Sequence, residues 1–326
     1  MKLIEAGSYY SYLPEGCRLC RKGSKLVLFI TGICNNSCFY CPVSRNRLGK
    51  DVIFANEREV KRKEDFIAEV EAMDAEGVGI TGGEPMFRLE RLIEFVNLSK
   101  ALDLHVHVYT SVPVREDVLR KIKVDEIRFH PPELKEVEKY AEPIKDAKKL
   151  GIDAGFEIPA FFFEEKIVEI ANELDAFLNL NQLEASETNW LELERRGFLI
   201  RDYYVEVDEI VRLYERVNKF HYCSARFKDS VQFRRRLIRM AKKLPDFYLK
   251  TDDGTVLCLR IEGDLEKAER LLRSEGIEFQ RFEDCIETSP RIRKKLKDLL
   301  KAEGLRLALV ERYPTFDRTV VELVWL

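Results

Sequence analysis

The hydrophobic pattern changes repeatedly and regularly between residues 26 and 184. Short apolar runs that suit buried strands alternate with charged segments in which apolar residues recur at helical spacing. Strands that are joined by helices run parallel, with right-handed crossovers. The pattern predicts six strands, at 26–31, 77–81, 104–110, 125–130, 152–158 and 177–184, with helices at 60–75, 89–99, 116–121, 134–150 and 163–174.

Six parallel strands predict an α/β fold, either an open doubly wound sheet or, as we expect here, a partial (β/α)6 barrel. In both arrangements the active-site groups lie at the C-terminal ends of the strands. After residue 225 the pattern changes to basic helices and a hairpin around Asp252-Asp253-Gly254, which predicts a smaller α+β domain. The predicted organisation is an N-terminal Cys-x-x-Cys segment at 1–25, the partial barrel at 26–190, a connector at 191–225 and the C-terminal domain at 226–326.

The composition narrows the class of protein. Of 326 residues, 45% are hydrophobic and 35% are charged, with a net charge of −3, so global disorder is excluded. A charged fraction this high is typical of thermophiles. The sequence has neither a membrane-spanning run nor a leader peptide, so we expect a cytoplasmic protein. Five of the eight cysteines lie between residues 17 and 41, and clustered thiols in a reducing compartment indicate metal or redox chemistry.

The strongest chemical signal is a set of three cysteines, Cys34, Cys38 and Cys41, on the loop after the first strand. Three thiolates can hold a [4Fe–4S] cluster and leave one iron open to a chelating ligand. A zinc site is the alternative, but none of the four histidines is near this loop. A non-catalytic iron–sulfur electron-transfer or metal-binding module is the alternative function.

The cysteine spacing, with the aromatic Tyr40 before the third thiol, resembles the signature of the radical S-adenosylmethionine (SAM) superfamily over residues 20–184. The resemblance implies an enzyme that cleaves SAM reductively at the cluster to a 5′-deoxyadenosyl radical, which abstracts hydrogen from a substrate. Thr81-Gly82-Gly83-Glu84-Pro85 resembles the motif that holds the methionine ammonium in that family. Further residues expected to bind the cofactor are Tyr40, Thr110, Ser111 and His130, whereas Glu157 matches the adenine-side motif only in part.

A second pair of thiols, Cys17 and Cys20, precedes the first strand. Cys-x-x-Cys is a common ligand unit, so we predict an auxiliary site, either a second [4Fe–4S] cluster or zinc. Cys223 is the expected third ligand, and Cys258 or Cys285 the fourth.

The substrate is left open between three classes. Basic runs at 226–243 and 291–297 suit an RNA base as substrate, although amphipathic helices explain them equally well. A small metabolite is the second class. A glycyl-radical partner ranks third, because activating enzymes are often smaller than this chain. The segments around Cys17-Arg-Leu-Cys20 and His221-Tyr222-Cys223-Ser224 resemble archaeal relatives of pyruvate formate-lyase activating enzymes, but this resemblance indicates no substrate. We expect an external electron donor such as a ferredoxin, and the sequence predicts no oligomeric state.

Overall fold

A computed structural model describes residues 1–326 and divides the chain into two compact units. The first comprises Met1–Glu71 and Ala75–Phe233, and the second comprises Ala72–Asp74 and Arg234–Leu326. No helix combines the length and the apolar composition that crossing a membrane requires.

The elements up to residue 233 alternate between strand and helix. The strands are β1 (Lys2–Leu3), β2 (Tyr9–Tyr10), β3 (Lys25–Phe29), β4 (Phe54–Ala55), β5 (Arg58–Glu59), β6 (Gly77–Thr81), β7 (His105–Thr110), β8 (Glu126–Phe129), β9 (Asp153–Ala160), β10 (Phe177–Gln182), β11 (Ile200–Arg201), β12 (Tyr204–Val205) and β13 (Lys219–Cys223). The α-helices are α1 (Glu15–Lys22), α2 (Lys63–Met73), α3 (Leu89–Ala101), α4 (Glu116–Ile122), α5 (Ala141–Lys149), α6 (Glu165–Glu173), α7 (Trp190–Arg195), α8 (Asp208–Tyr214) and α9 (Ala225–Phe227). Shorter 3-10 helices span Glu5–Gly7, Pro85–Arg88 and Leu134–Tyr140, and a π-helical turn spans Lys228–Phe233.

The first unit is built on one sheet whose central strands are parallel, in the order β3-β6-β7-β8-β9-β10-β13. The predicted α/β class with parallel strands is confirmed. The sheet has seven parallel strands rather than six, because β13 lies within the segment 191–225 that the sequence analysis assigned to a connector. The N-terminal segment also joins this sheet, since β2 pairs antiparallel with β13.

The two faces of the parallel sheet differ in chemistry because successive side chains of a strand point to opposite faces. On β7, Val106 and Val108 are fully buried on the face that the helical layer covers. The ring of Tyr140, just before α5, packs on Phe129 and Phe156 of that same face, at centroid distances of 5.5 and 6.4 Å. The opposite side, called the polar face below, carries Lys25, His107, Tyr109, Arg128, Glu157, Asn179 and His221.

The second unit is a smaller α+β structure, as predicted. Its strands are β14 (Leu249–Lys250), β15 (Val256–Glu262), β16 (Phe279–Arg281), β17 (Ile286–Thr288), β18 (Arg306–Arg312) and β19 (Val320–Trp325), and its helices are α10 (Arg234–Lys243), α11 (Leu265–Ser274) and α12 (Lys294–Ala302). The main sheet runs β16-β17-β15-β18-β19, and β14 pairs with β15 across the predicted hairpin turn. Apolar side chains of α11 and α12 pack together with those of β15 and β18 in one buried core.

Candidate functional site

The loop between β3 and β4 carries the three closely spaced cysteines. Cys34, Cys38 and Cys41 are all half-buried. Burial raises the pKa of Cys34 and of Cys38, and the nearby Cys41 thiol raises both further. The Cys41 N–H donates to the Cys38 carbonyl at 3.1 Å, and the Asn36 N–H donates to Cys34 Sγ at 3.4 Å. The structure therefore places the three predicted ligands on one tightly turned loop.

Tyr40 connects this loop to the end of β8. Its hydroxyl lies 3.0 Å from Nε2 of His130, and Nδ1 of His130 lies 2.9 Å from the backbone carbonyl of Glu157. A carbonyl only accepts, so Nδ1 carries the hydrogen and Nε2 accepts from the Tyr40 hydroxyl. Burial lowers the pKa of His130, which favours this neutral form. His130 thus holds the aromatic residue of the cysteine motif in place.

The Gly82-Gly83-Glu84 segment is hydrogen-bonded directly to the beginning of the cysteine loop. The Gly83 N–H donates to the Thr31 carbonyl at 2.7 Å, and the Glu84 N–H donates to the Ile33 carbonyl at 2.8 Å. Gly82 has a φ of +148°, and a Cβ at Gly83 would lie 2.4 Å from the Ile33 carbonyl oxygen. Only glycine allows this close approach at both positions. The two predicted motifs therefore form one structural unit.

The Glu84 carboxylate is only 1% exposed, and Asn36 of the cysteine loop donates a hydrogen bond at 2.8 Å to Ser111, one of the residues that hold this carboxylate. Its hydrogen-bond donors are the Met86 N–H, the Thr110 hydroxyl, and the N–H and hydroxyl of Ser111, at 2.5 to 3.0 Å. All four donors are neutral, so no cation of the protein compensates the negative charge. Such a buried carboxylate suits a ligand ammonium group. Thr110 and Ser111, predicted to touch the cofactor, orient this carboxylate.

The polar face carries a buried ion-pair network that the sequence did not predict. Arg128, which is 1% exposed, forms ion pairs with both Glu126 and Glu157. Asn179 and Asn181 donate amide N–H groups to the Glu157 carboxylate at 3.2 and 2.8 Å. Burial raises the pKa of Glu157, but Arg128, Lys25 and the Asn181 amide together outweigh burial and lower the pKa to about 2. The alternation of charged and apolar residues along β8 was the signal that could have revealed this network.

The structure also brings together three of the four cysteines that were predicted for an auxiliary site. Cys17 and Cys20 lie on α1, and Cys223 ends β13. The turn Lys228–Phe233 contacts α1, and its Gln232 donates a hydrogen bond to Cys223 Sγ. Cys258 lies elsewhere, fully buried in the apolar core of the second unit with Tyr248, Val256, Ala308 and Val310. Cys258 is therefore a core residue and does not belong to the candidate site.

Some of the basic residues that suggested RNA are paired with acidic groups. Lys228 forms an ion pair with Glu184, and Arg234 forms one with Asp253. These pairs reduce the positive charge that the run 226–243 offers to phosphates.

Comparison with known proteins supports the interpretation of the cysteine motif. A family model described as "Radical SAM superfamily" matches residues 28–131, and one described as "Domain of unknown function (DUF8061)" matches residues 254–326. The chain is 37% identical to a Methanocaldococcus jannaschii protein named "Putative glycyl-radical enzyme activating enzyme", over 97% of this chain and 93% of that protein.

Solved structures are similar over part of the chain. SuiB of Streptococcus suis, bound to S-adenosylmethionine, is 16% identical with a TM-score of 0.42 over 62% of this chain. TsrM of Kitasatospora setae, a radical S-adenosylmethionine methyltransferase with cobalamin and a [4Fe-4S] cluster bound, is 14% identical with a TM-score of 0.37 over 54%. The chain spans only 50% and 40% of the lengths of these two proteins.

The family match begins within β3 and covers the three-cysteine loop and the Gly-Gly-Glu segment, and the full-length relative extends the similarity to nearly the whole chain. The chain belongs to the radical SAM superfamily and is an enzyme of the radical SAM type, which uses SAM and a [4Fe–4S] cluster.

Proposed function

We propose that Cys34, Cys38 and Cys41 hold the [4Fe–4S] cluster and that Glu84 binds the amino group of SAM beside it. The main support is the buried Glu84 carboxylate, which forms no ion pair with a cation of the protein and whose backbone N–H is bonded to Ile33, the residue before Cys34. The residues fit the group, because one loop carries three thiols and offers no fourth cysteine.

Each part of the chain contributes a separate task. When bound and reduced, a cluster held by these three thiols would supply the electron for the reductive cleavage of SAM. Glu84 fixes the amino acid end of SAM, because a buried carboxylate attracts an ammonium group strongly. Thr110 and Ser111 hold that carboxylate in one orientation, while His130 holds Tyr40 and so restrains the loop. These residues position the reacting groups before the reaction begins.

For the substrate we propose a glycine of a partner protein, which the enzyme converts to a glycyl radical. The support is the name of the M. jannaschii relative, with which this chain shares 37% identity over nearly its full length. A small metabolite and an RNA base are the competing classes.

The assay for SAM cleavage is anaerobic. The protein is reconstituted with iron and sulfide and reduced with dithionite, SAM is added, and 5′-deoxyadenosine is quantified. Cys34→Ala should abolish the product, whereas the matched control Cys285→Ala, from a buried strand end in the second unit, should retain it. A fully loaded cluster that neither binds nor cleaves SAM would refute the proposal.

To identify the substrate class, extract of the source organism is added to the same assay. A substrate in the extract should accelerate the formation of 5′-deoxyadenosine. For a protein substrate, protease treatment removes the acceleration, RNase leaves it intact, and the protein fraction acquires a glycyl-radical signal in electron paramagnetic resonance. Acceleration that RNase removes would indicate RNA, and acceleration by the small-molecule filtrate would indicate a metabolite.

A further inference from the structure

Two thiols of α1 lie against the polar face of the sheet. Cys17 and Cys20 are three residues apart, so both project from one side of the helix. The Gly16 N–H donates to the Glu126 carboxylate at 2.9 Å, and Arg128 donates to Cys17 Sγ at 3.3 Å. These contacts place the helix and its thiols over the ion-pair network.

A third thiol in the same region comes from the C-terminal part of the first unit, about 200 residues later in the sequence. Cys223 is buried at the end of β13, where Gln232 donates to its sulfur at 3.8 Å. The π-helical turn Lys228–Phe233, which carries Gln232, lies in contact with α1, the helix of Cys17 and Cys20. The fold therefore collects three thiols that sequence distance separates.

His221, two residues before Cys223 on the same face of β13, has an unused lone pair. Asn179 donates its Nδ2–H to the Glu157 carboxylate, so its Oδ1 faces His221 Nδ1 at 3.2 Å. An amide oxygen only accepts, so Nδ1 of His221 carries the hydrogen and Nε2 carries the lone pair. Nε2 has no hydrogen-bond partner although His221 is only 3% exposed. A hydrogen bond that fixes the tautomer in this way is typical of metal-binding histidines.

Cations lie near the thiols, although two of them are also paired with carboxylates: Arg128 with Glu126 and Glu157, and Lys228 with Glu184. Arg128 contacts Cys17 directly, and Lys25 interacts electrostatically with both Cys17 and Cys20. Positive groups of this kind compensate thiolates that would otherwise be costly to bury.

We infer that Cys17, Cys20 and Cys223, with Nε2 of His221 as the fourth ligand, bind a second iron–sulfur cluster on the polar face. A single zinc ion requires four ligand atoms about 2.0–2.3 Å from the metal, hence close to one another. In the first unit, the ligand atoms of His105, His107 and Glu126 all lie within 4.8 Å of one another. The sulfur atoms of the three thiols and Nε2 of His221 do not lie that close together. A multinuclear cluster accepts ligands that are spread more widely.

The decisive experiment removes the first cluster. The Cys34→Ala/Cys38→Ala/Cys41→Ala variant is reconstituted anaerobically, and iron, sulfide and zinc are measured per chain. We expect about four iron and four sulfide to remain, against about eight of each in the unaltered protein. Adding Cys223→Ala should remove the remainder, whereas the matched control Cys258→Ala should leave it intact.

The fourth ligand is tested separately in the same background. His221→Cys should keep the iron but shift the g-values of the reduced cluster, because a thiolate replaces an imidazole. Unchanged g-values would exclude His221 as a ligand. If the triple variant fails to fold, the unaltered protein decides: about four iron per chain, or zinc in place of the second set, would overturn the inference.

Discussion

The Tyr40 hydroxyl donates a hydrogen bond to Nε2 of His130 at 3.0 Å, which joins the cysteine loop to the end of β8, three strands away in the sheet. Tyr40→Phe keeps the ring, which packs on Phe161 at a centroid distance of 4.9 Å, but leaves Nε2 unpaired. We expect a loss of about 1–3 kcal/mol in the free energy of unfolding. Urea denaturation of the apoprotein measures it, with Tyr10→Phe as the control that should change little.

Gly83→Ala should disturb the cysteine loop. The added Cβ would lie 2.4 Å from the Ile33 carbonyl oxygen and 2.9 Å from the Gly32 carbonyl carbon, both of them backbone atoms that cannot rotate away. We expect a loss of about 1–3 kcal/mol in stability and a reduced iron content after reconstitution.

The matched control is Gly151→Ala, where a Cβ meets no atom within 4 Å although φ is +76°. Backbone strain there costs about 1 kcal/mol and should leave the iron content unchanged. Normal iron loading of Gly83→Ala would contradict the proposed coupling between the two motifs.

Glu84→Gln should weaken SAM binding without loss of iron. The substitution keeps the shape of the side chain but removes the charge that attracts the ammonium group. Loss of a charge-assisted hydrogen bond of about 1.5–3 kcal/mol corresponds to roughly a 10- to 100-fold increase in Kd. A spectroscopic titration of the reconstituted protein measures this. Glu136→Gln, an exposed residue paired with Lys139, is the control, and equal affinities would exclude Glu84 as the ammonium ligand.

Arg128→Met should be strongly destabilising. It leaves the buried carboxylates of Glu126 and Glu157 without their shared cation, and breaking a buried ion pair in this way costs about 3–5 kcal/mol. Arg120→Met, which removes an exposed pair with Glu116, should cost at most about 0.5 kcal/mol. Chemical denaturation of both variants gives the comparison, and equal losses would show that the network contributes little.

Stability should fall as the solution becomes acidic. Burial lowers the pKa of all four histidines, His105, His107, His130 and His221. In the unfolded chain they titrate near pH 6.5, so below that pH the unfolded state binds protons that the folded state does not. Each histidine that stays neutral in the folded state removes about 1.4 kcal/mol of stability per pH unit below this point.

Urea midpoints of the apoprotein between about pH 7 and pH 5 measure this dependence. The carboxylates titrate mainly below this window, near pH 4 in the unfolded chain. A His107→Asn variant should show a smaller slope, and a midpoint independent of pH would contradict the interpretation.

Local sequence patterns predicted much of the fold. The six strands, the hairpin and the smaller α+β unit follow from alternation and turn residues, which act between near neighbours. The pattern missed β13, because five residues between a short helix and a turn give too little alternation to stand out from a connector. It also missed Arg128, since a charged residue within a strand looks exposed until the face on which it lies is known.

The sequence by itself determined the chemistry of the cysteine loop and of the Gly-Gly-Glu segment, since both motifs are contiguous and their spacing carries the information. Only the tertiary structure decided what meets across the sheet. Packing of α1 against the turn that follows β13 brings Cys17 and Cys20 towards Cys223 and His221. Strand register places Arg128 between two glutamates, and Cys258 is buried in the core of the second unit. These relationships depend on contacts between distant residues, and no local pattern records them.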